Sequence, residues 1–155
     1  LQRLRATEPR RRARAPVSRF LDTNVLLYSI STDPAEARKR DIATKVLAAV
    51  DNVLSVQVLQ EFYVQATRTS RRDALSHAVA TGLMEAWSRF PIIETTTSIM
   101  NSALDLRERR GWSYWDAAIV AAALAGGCTE LLTEDLNDGQ VEGPLTVVNP
   151  FPIPG

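Results

Sequence analysis

Residues 18–30 read "SRFLDTNVLLYSI", and the stretch poses one physical question: why a carboxylate sits between two apolar runs. Phe20–Leu21 precede Asp22–Thr23–Asn24, and Val25–Leu26–Leu27–Tyr28 follow at once. A group so placed lies near the interior, where a bare charge is costly unless something compensates it. One answer is local. Aspartate is a favoured helix N-cap, so a strand ending here as a helix starts would account for it. The other answer is a functional site, and the rest of the chain has to decide between them.

The composition narrows the chemistry. A chain of 155 residues, 45% apolar, is about one domain with a sizeable core. No stretch approaches the length of a membrane span, and none resembles a signal peptide. A single cysteine, Cys128, excludes an internal disulfide framework and fits a reducing cytosol, so a cytoplasmic location is expected. A single histidine, His77, is too few for a His-based zinc centre, and its helical stretch "RRDALSHAVATGL" marks it as a surface residue. No GxGxxG or Walker-type phosphate loop is present. Any chemistry must fall largely to carboxylates.

The formal net charge of zero hides an asymmetry. Residues 1–19 hold seven arginines and one glutamate, leaving eleven Lys/Arg against seventeen Asp/Glu in residues 20–155. The opening "LQRLRATEPRRRARAP" reads as a disordered basic leader over residues 1–17, either inert or the product of a misplaced start, with a nucleic-acid-binding arm as the alternative. The domain proper, residues 18–155, is acidic. If it handles a polyanion, local cations must do so.

Hydrophobic periodicity predicts strands alternating with helices. Arg19–Leu21 reads as a strand and residues 24–30 as a helix; a turn at Asp33–Pro34 opens a second helix with Ala43, Val46, Leu47 and Val50 at helical spacing. Asn52–Ser55 is a strand, and Ser55 caps a third helix. Residues 71–90 form a long amphipathic helix whose stripe, Leu75, Val79, Leu83 and Trp87, reads as core. "IIET" is a strand, "SIMNSALDLRERRG" a helix stopped by Gly111, and "SYWDAAIVAAALAGG" an alanine-rich helix. "TELLT" and "LTVVN" complete five strands. The alternation implies an α/β sandwich around a mainly parallel five-stranded sheet flanked by helices.

In such a sheet, ligands bind outside the strands' carboxyl ends. Asp22 follows the first strand, Asp116 lies in the first turn of the alanine-rich helix, and Asp135 comes just after the fourth strand. Glu61 can reach the same edge from two turns into its helix. Each has an ordinary explanation: Ser113-x-x-Asp116 resembles a capping box, Glu61 a solvated helix glutamate, and Asp135 a polar-turn residue in "TEDLNDG". If the four converge, they cannot all stay ionised without compensation. With no Cys or His ligands, such a site suits Mg2+, with Mn2+ as the alternative, rather than zinc.

"FLDTNVLLY", "VLQEFYV", "YWDAAIVAAAL", "LLTEDLNDG" and "VVNPF" together resemble a PIN domain of the VapC toxin type, over about residues 18–151. The resemblance implies the PIN three-layer sandwich and a metal-dependent endoribonuclease. Asp22, Glu61, Asp116 and Asp135 match the family's catalytic, metal-binding acids, with Asp22 and Asp116 the most dependable Mg2+ ligands. Asn24 and Thr133 match polar positions that orient those acids; Glu134 and Asp138 are neighbours able to assist Asp135. The implied partners are an RNA substrate, a cognate VapB-type antitoxin and a second copy in a homodimer, with no membrane. Arg38–Lys39–Arg40, Arg71–Arg72 and Arg107, Arg109 and Arg110 are candidate guides for RNA phosphates, against the plainer reading of solvated helix ends.

Three rival readings remain. A phosphatase using Asp22 as nucleophile needs D-x-D, and Asn24 cannot cycle a proton. A non-catalytic PIN-like module binding RNA or protein is less natural with all four acids present. A nucleotide-binding regulator lacks its glycine-rich loop.

Overall fold

The computed structural model describes residues 17–155, so the expected basic leader falls, apart from Val17, outside the described residues. The chain begins with β1 (Arg19–Leu21), whose Phe20 and Leu21 are fully buried, and Asp22 caps α1 (Thr23–Ser29). A 3-10 turn over Pro34–Glu36 leads into α2 (Ala37–Ala48), followed by β2 (Asn52–Ser55) and α3 (Val56–Ala66). Then come α4 (His77–Trp87), β3 (Ile92–Ile93), α5 (Thr97–Arg110) and α6 (Tyr114–Ala125). Last are β4 (Glu130–Leu132), β5 (Val141–Glu142) and β6 (Leu145–Val148).

The strands form one sheet in the order β3-β2-β1-β4-β6-β5, parallel except for β5. From β1 the chain steps outward through β2 to β3, then returns to place β4 on the other side of β1. Right-handed crossovers therefore put α1–α4 on one face and α5–α6 on the other, giving three layers. The reversal leaves a switch point between β1 and β4, where an open parallel sheet forms its crevice. Helix α6 is buried from Ala117 through Ala123. Its small side chains allow both the sheet and α5 to approach, so a helix without an amphipathic stripe becomes the core of its layer.

The α/β class and the mainly parallel sheet are as the sequence reads, with three corrections. The sheet has six strands, not five: β5 is a two-residue edge strand hairpinned onto β6 through Gly143, too short to show periodicity. The helix expected over 71–90 starts only at His77, capped by the Ser76 hydroxyl on the Val79 amide (3.2 Å). Residues 71–76 instead form a turn in which Asp73 accepts from the Thr32 amide (2.9 Å), the Thr32 hydroxyl (3.0 Å) and Arg71 (2.7 Å). These donors pull the Asp73 carboxyl down to about 2. The buried stripe of α4 is consequently shifted to Ala80 and Trp87, with Leu83 half-buried, while Val79 is 52% exposed and Leu75 precedes the helix. Val50, expected on the apolar face of α2, lies past its end at 94% exposure. His77 is exposed, as expected, and meets the Tyr63 hydroxyl at 3.0 Å.

Gly111 ends α5 at φ 71°, with its amide donating to the Arg107 carbonyl at 2.9 Å. A Cβ there would meet nothing within 4 Å, so a side chain is opposed only by the left-handed backbone. Gly111→Ala should lower stability by about 1 kcal/mol in urea denaturation, with the m-value unchanged.

Candidate active site

Asp22 sits where β1 ends at the switch point. Its amide donates to the Leu132 carbonyl (3.0 Å), tying it to β4. One carboxylate oxygen accepts the Thr23 amide at 2.7 Å, and the other accepts the Thr133 hydroxyl at 2.8 Å. The capping answer to the opening question holds in geometry, and the same capping carboxylate lines the cleft described below. Only 7% of Asp22 is exposed. Burial, reinforced by the charges of Asp135 and Glu61, pushes its carboxyl up to about 7 against the opposing bonds from Thr133 and Thr23.

Thr133 follows β4 and is fully buried. Its hydroxyl donates to Asp22 while accepting from the Asn24 side-chain amide (3.1 Å) and the Asp135 backbone amide (3.0 Å). That exhausts a hydroxyl's one donor and two lone pairs. The Asn24 amide also donates to the Asp135 carboxylate at 3.2 Å. Asn24 Oδ1 is buried and has no hydrogen-bond partner among the described residues.

Glu61 reaches the same place from α3. It accepts from the Thr23 hydroxyl at 2.8 Å and from the Gln57 amide at 3.1 Å. Asp116 lies in the first turn of α6, where its amide donates to the Ser113 hydroxyl at 3.1 Å. This is one half of the expected capping box. The Asp116 carboxylate accepts no hydrogen bond from the described residues, so helix capping uses its backbone and leaves the acid free.

All four acids, from four different parts of the chain, line one cleft of about 270 Å³ with Asn24 and Trp115. Glu134 and Asp138 do not line it. Glu134 is bound by Lys39 (2.8 Å) and by the Tyr28 hydroxyl, and Asp138 accepts the Asn149 amide at 2.8 Å. Sequence reasoning missed Thr23 and Gln57, which position Glu61, and the Lys39–Tyr28 pair that draws Glu134 aside. Only the polar character of Thr23 and its place beside Asp22 hinted at a role.

Most of the candidate phosphate-guiding cations are engaged elsewhere. Arg109 and Arg110 pair with Glu142, Arg107 donates to the Trp112 carbonyl, and Arg38 donates to the Pro152 carbonyl. Arg40 pairs with Asp41, and Arg71 with Asp73, although Arg71 also lines a small cleft beside Asn24.

The donor set is entirely hard oxygen, and the orphaned Asn24 carbonyl adds a further neutral oxygen, which fits a hard divalent cation. No three His, Cys, Asp or Glu side chains among the described residues stand close enough together to form a ready-made cage. Mg2+ does not require one, since it retains several waters and binds through one or two carboxylates.

The PIN domain profile matches residues 19–141. The chain belongs to the PIN domain family. The family that the motifs resemble is thus the one found, and similar solved structures include toxin–antitoxin proteins. A toxin–antitoxin complex from Klebsiella pneumoniae is 25% identical with a TM-score of 0.66, covering 88% of this chain and 100% of that one. VapC20 of Mycobacterium tuberculosis, a sarcin–ricin loop cleaving toxin, is 19% identical (TM-score 0.58, covering 74% of this chain and 87% of its own). VapBC2 of Rickettsia felis, bound to a DNA fragment from its promoter, is also 19% identical (TM-score 0.58, covering 84% and 97%). No curated protein sequence matches this PIN domain.

The raised Asp22 carboxyl has a definite sign. The fold favours its neutral form, so its contribution to stability is fully present below the ordinary value of 3.8 and lost as pH rises through about 7. In EDTA, wild-type stability should fall over that window relative to Asp22→Asn, as read by denaturant midpoints. Thr133→Val removes a bond that lowers the Asp22 value, so the Asp22 titration followed by carboxyl NMR should move above about 7. The variant should also lose about 1–3 kcal/mol of stability.

Proposed function

We propose that this PIN domain is a metal-dependent endoribonuclease toxin of the VapC type, hydrolysing RNA phosphodiesters. One observation carries the reading: four acids from separate elements line a single cleft at the β1/β4 switch point. The toxin–antitoxin neighbours support it, one of them a sarcin–ricin loop cleaving toxin. Asp22 and Asp116 are the principal ligands for Mg2+, or alternatively Mn2+, with Glu61 and Asp135 completing the acid set. When bound, the cation supplies a water of lowered pKa and charge stabilisation at the scissile phosphate.

The protein's own residues prepare that chemistry. Asp22 is held in one orientation through both oxygens, by Thr133 and the Thr23 amide. Asn24 and Thr133 fix Asp135 relative to Asp22, so the two acids keep a set spacing. Thr23 and Gln57 hold Glu61 through its two oxygens. Asp116, free of donors, is the acid most able to rotate toward a cation. The phosphatase reading loses further ground because the Asn24 amide is already donating to Thr133 and Asp135.

A VapB-type antitoxin is the proposed partner, supported by neighbours that are toxin–antitoxin complexes, together with self-association as a homodimer. Among the described residues, no helix is long and apolar enough to cross a membrane.

Purified protein incubated with a structured-RNA pool should cut it in Mg2+ or Mn2+ and not in EDTA. Asp22→Asn and Asp116→Asn should each lower cleavage by at least about 100-fold, the loss expected when a metal or transition-state contact is removed. Cleavage that survives EDTA or both substitutions overturns the nuclease assignment. Binding of the pool without cleavage of any member would favour the non-catalytic module.

A further inference from the structure

Trp115 is 63% exposed, which is unusual for an indole that the fold does not need in its core. It immediately precedes Asp116, and it lines the acid cleft and two adjoining clefts of about 330 and 440 Å³. Among the described residues its one aromatic contact is the edge-type packing on Tyr114, with centroids 5.0 Å apart and planes at 74°. The backbone beneath it is anchored, because Gln57 donates to both Glu61 (3.1 Å) and the Trp115 carbonyl (3.5 Å). The indole is thus placed at a set position beside two of the acids while remaining open to solvent.

The 330 Å³ cleft shares Glu61, Gln65 and Trp115 with the acid cleft, so the two are continuous. Its remaining wall carries Gln57, Gln60, Arg68 and the exposed Val64. The side chains of Gln60, Gln65 and Arg68 make no hydrogen bond or ion pair among the described residues. Of the candidate guides, Arg38, Lys39, Arg40 and Arg71 are engaged; Arg72 is as free as Arg68, but it is Arg68 that lines this cleft.

We infer that Trp115 is a stacking platform for the RNA base flanking the scissile phosphate, with Arg68 holding the phosphate of that same nucleotide. This inference rests on the nuclease reading. An aromatic face, free amides and an unpaired guanidinium together match an unpaired nucleotide, whose base offers a π-face and polar edges and whose phosphate offers a charge. A paired base would be closed to the indole by its own stack. A second copy of the chain seated on the same surface would have to satisfy these amides and the guanidinium; a nucleotide already carries the complementary groups.

The test uses the wild-type chain, Trp115→Ala, Trp115→Phe and Arg68→Gln, assayed on a short unpaired RNA in Mn2+. Trp115→Ala should raise KM by about 10-fold with kcat within about twofold, and Trp115→Phe should recover most of the loss. Arg68→Gln should reduce the slope of log KM against log salt by about one phosphate contact. A fall in kcat at unchanged KM, or a phenylalanine variant no better than alanine, overturns the platform. So does a Trp115→Ala protein that sediments at half the wild-type mass, since the indole then belongs to a seam between copies.

A separate reading keeps the platform testable if the RNA is not cut. In EDTA, an oligouridine should quench wild-type indole fluorescence, and Trp115→Phe should abolish the quench while Trp87 and Trp112 still emit. Quenching without cleavage sinks the nuclease reading and leaves the platform standing. No Trp115-dependent quench overturns the platform, whatever the cleavage result.

Discussion

The Thr133 hydroxyl is the hinge of the site. It donates to Asp22 and accepts from Asn24 and Asp135, so one buried oxygen connects the ends of β1 and β4 with the start of α1. Because its capacity is full, each partner's position depends on the others, and a displacement of one is felt by all. The parallel pairing of β1 with β4, in register from Arg19 with Glu130 to Leu21 with Leu132, delivers these residues to the same level. Packing places the strands, and the hydroxyl converts that placement into an ordered set of acids.

Two layers converge on this point by different means. On one face, α1 and α3 meet through Thr23 and Glu61, so α3 contributes an acid to the edge where β4 ends. On the other face, α6 brings Asp116 on a helix buried through seven consecutive residues. An acid at the start of so constrained a helix moves little as a whole, and its freedom lies in its side-chain rotamers. The site therefore combines two acids held through both oxygens, one held through a single oxygen, and one that is not held. Such a division suits a cation that keeps part of its water shell.

The legible part of this structure was its local chemistry. Asp22, Asp116 and Asp135 each sit beside a strand end or helix start, and the surrounding apolar pattern marks those boundaries within a few residues. Ser55 as a cap and Gly111 as a stop were readable for the same reason. What escaped the sequence was set at a distance. The late start of α4 follows a turn pinned by Asp73 to Thr32, 41 residues away, and the shifted stripe of that helix follows in turn. Glu134 is removed from the cleft by Lys39, 95 residues earlier, which no local pattern announces. The β5 strand is a consequence of β6 presenting an edge; its own two residues carry no signal.

The acids of the cleft are spread along most of the chain, from residue 22 to residue 135, and the strand that seats the last of them lies beside the first strand rather than at the sheet's margin. During synthesis residues 19–66 can assemble β1, β2 and helices α1–α3, but the centre of the sheet stays open until β4 has emerged. Asp22 and Glu61, linked through Thr23, can therefore meet before Asp116 and Asp135 join them. The full set of four acids is gathered only once residue 135 has taken its place.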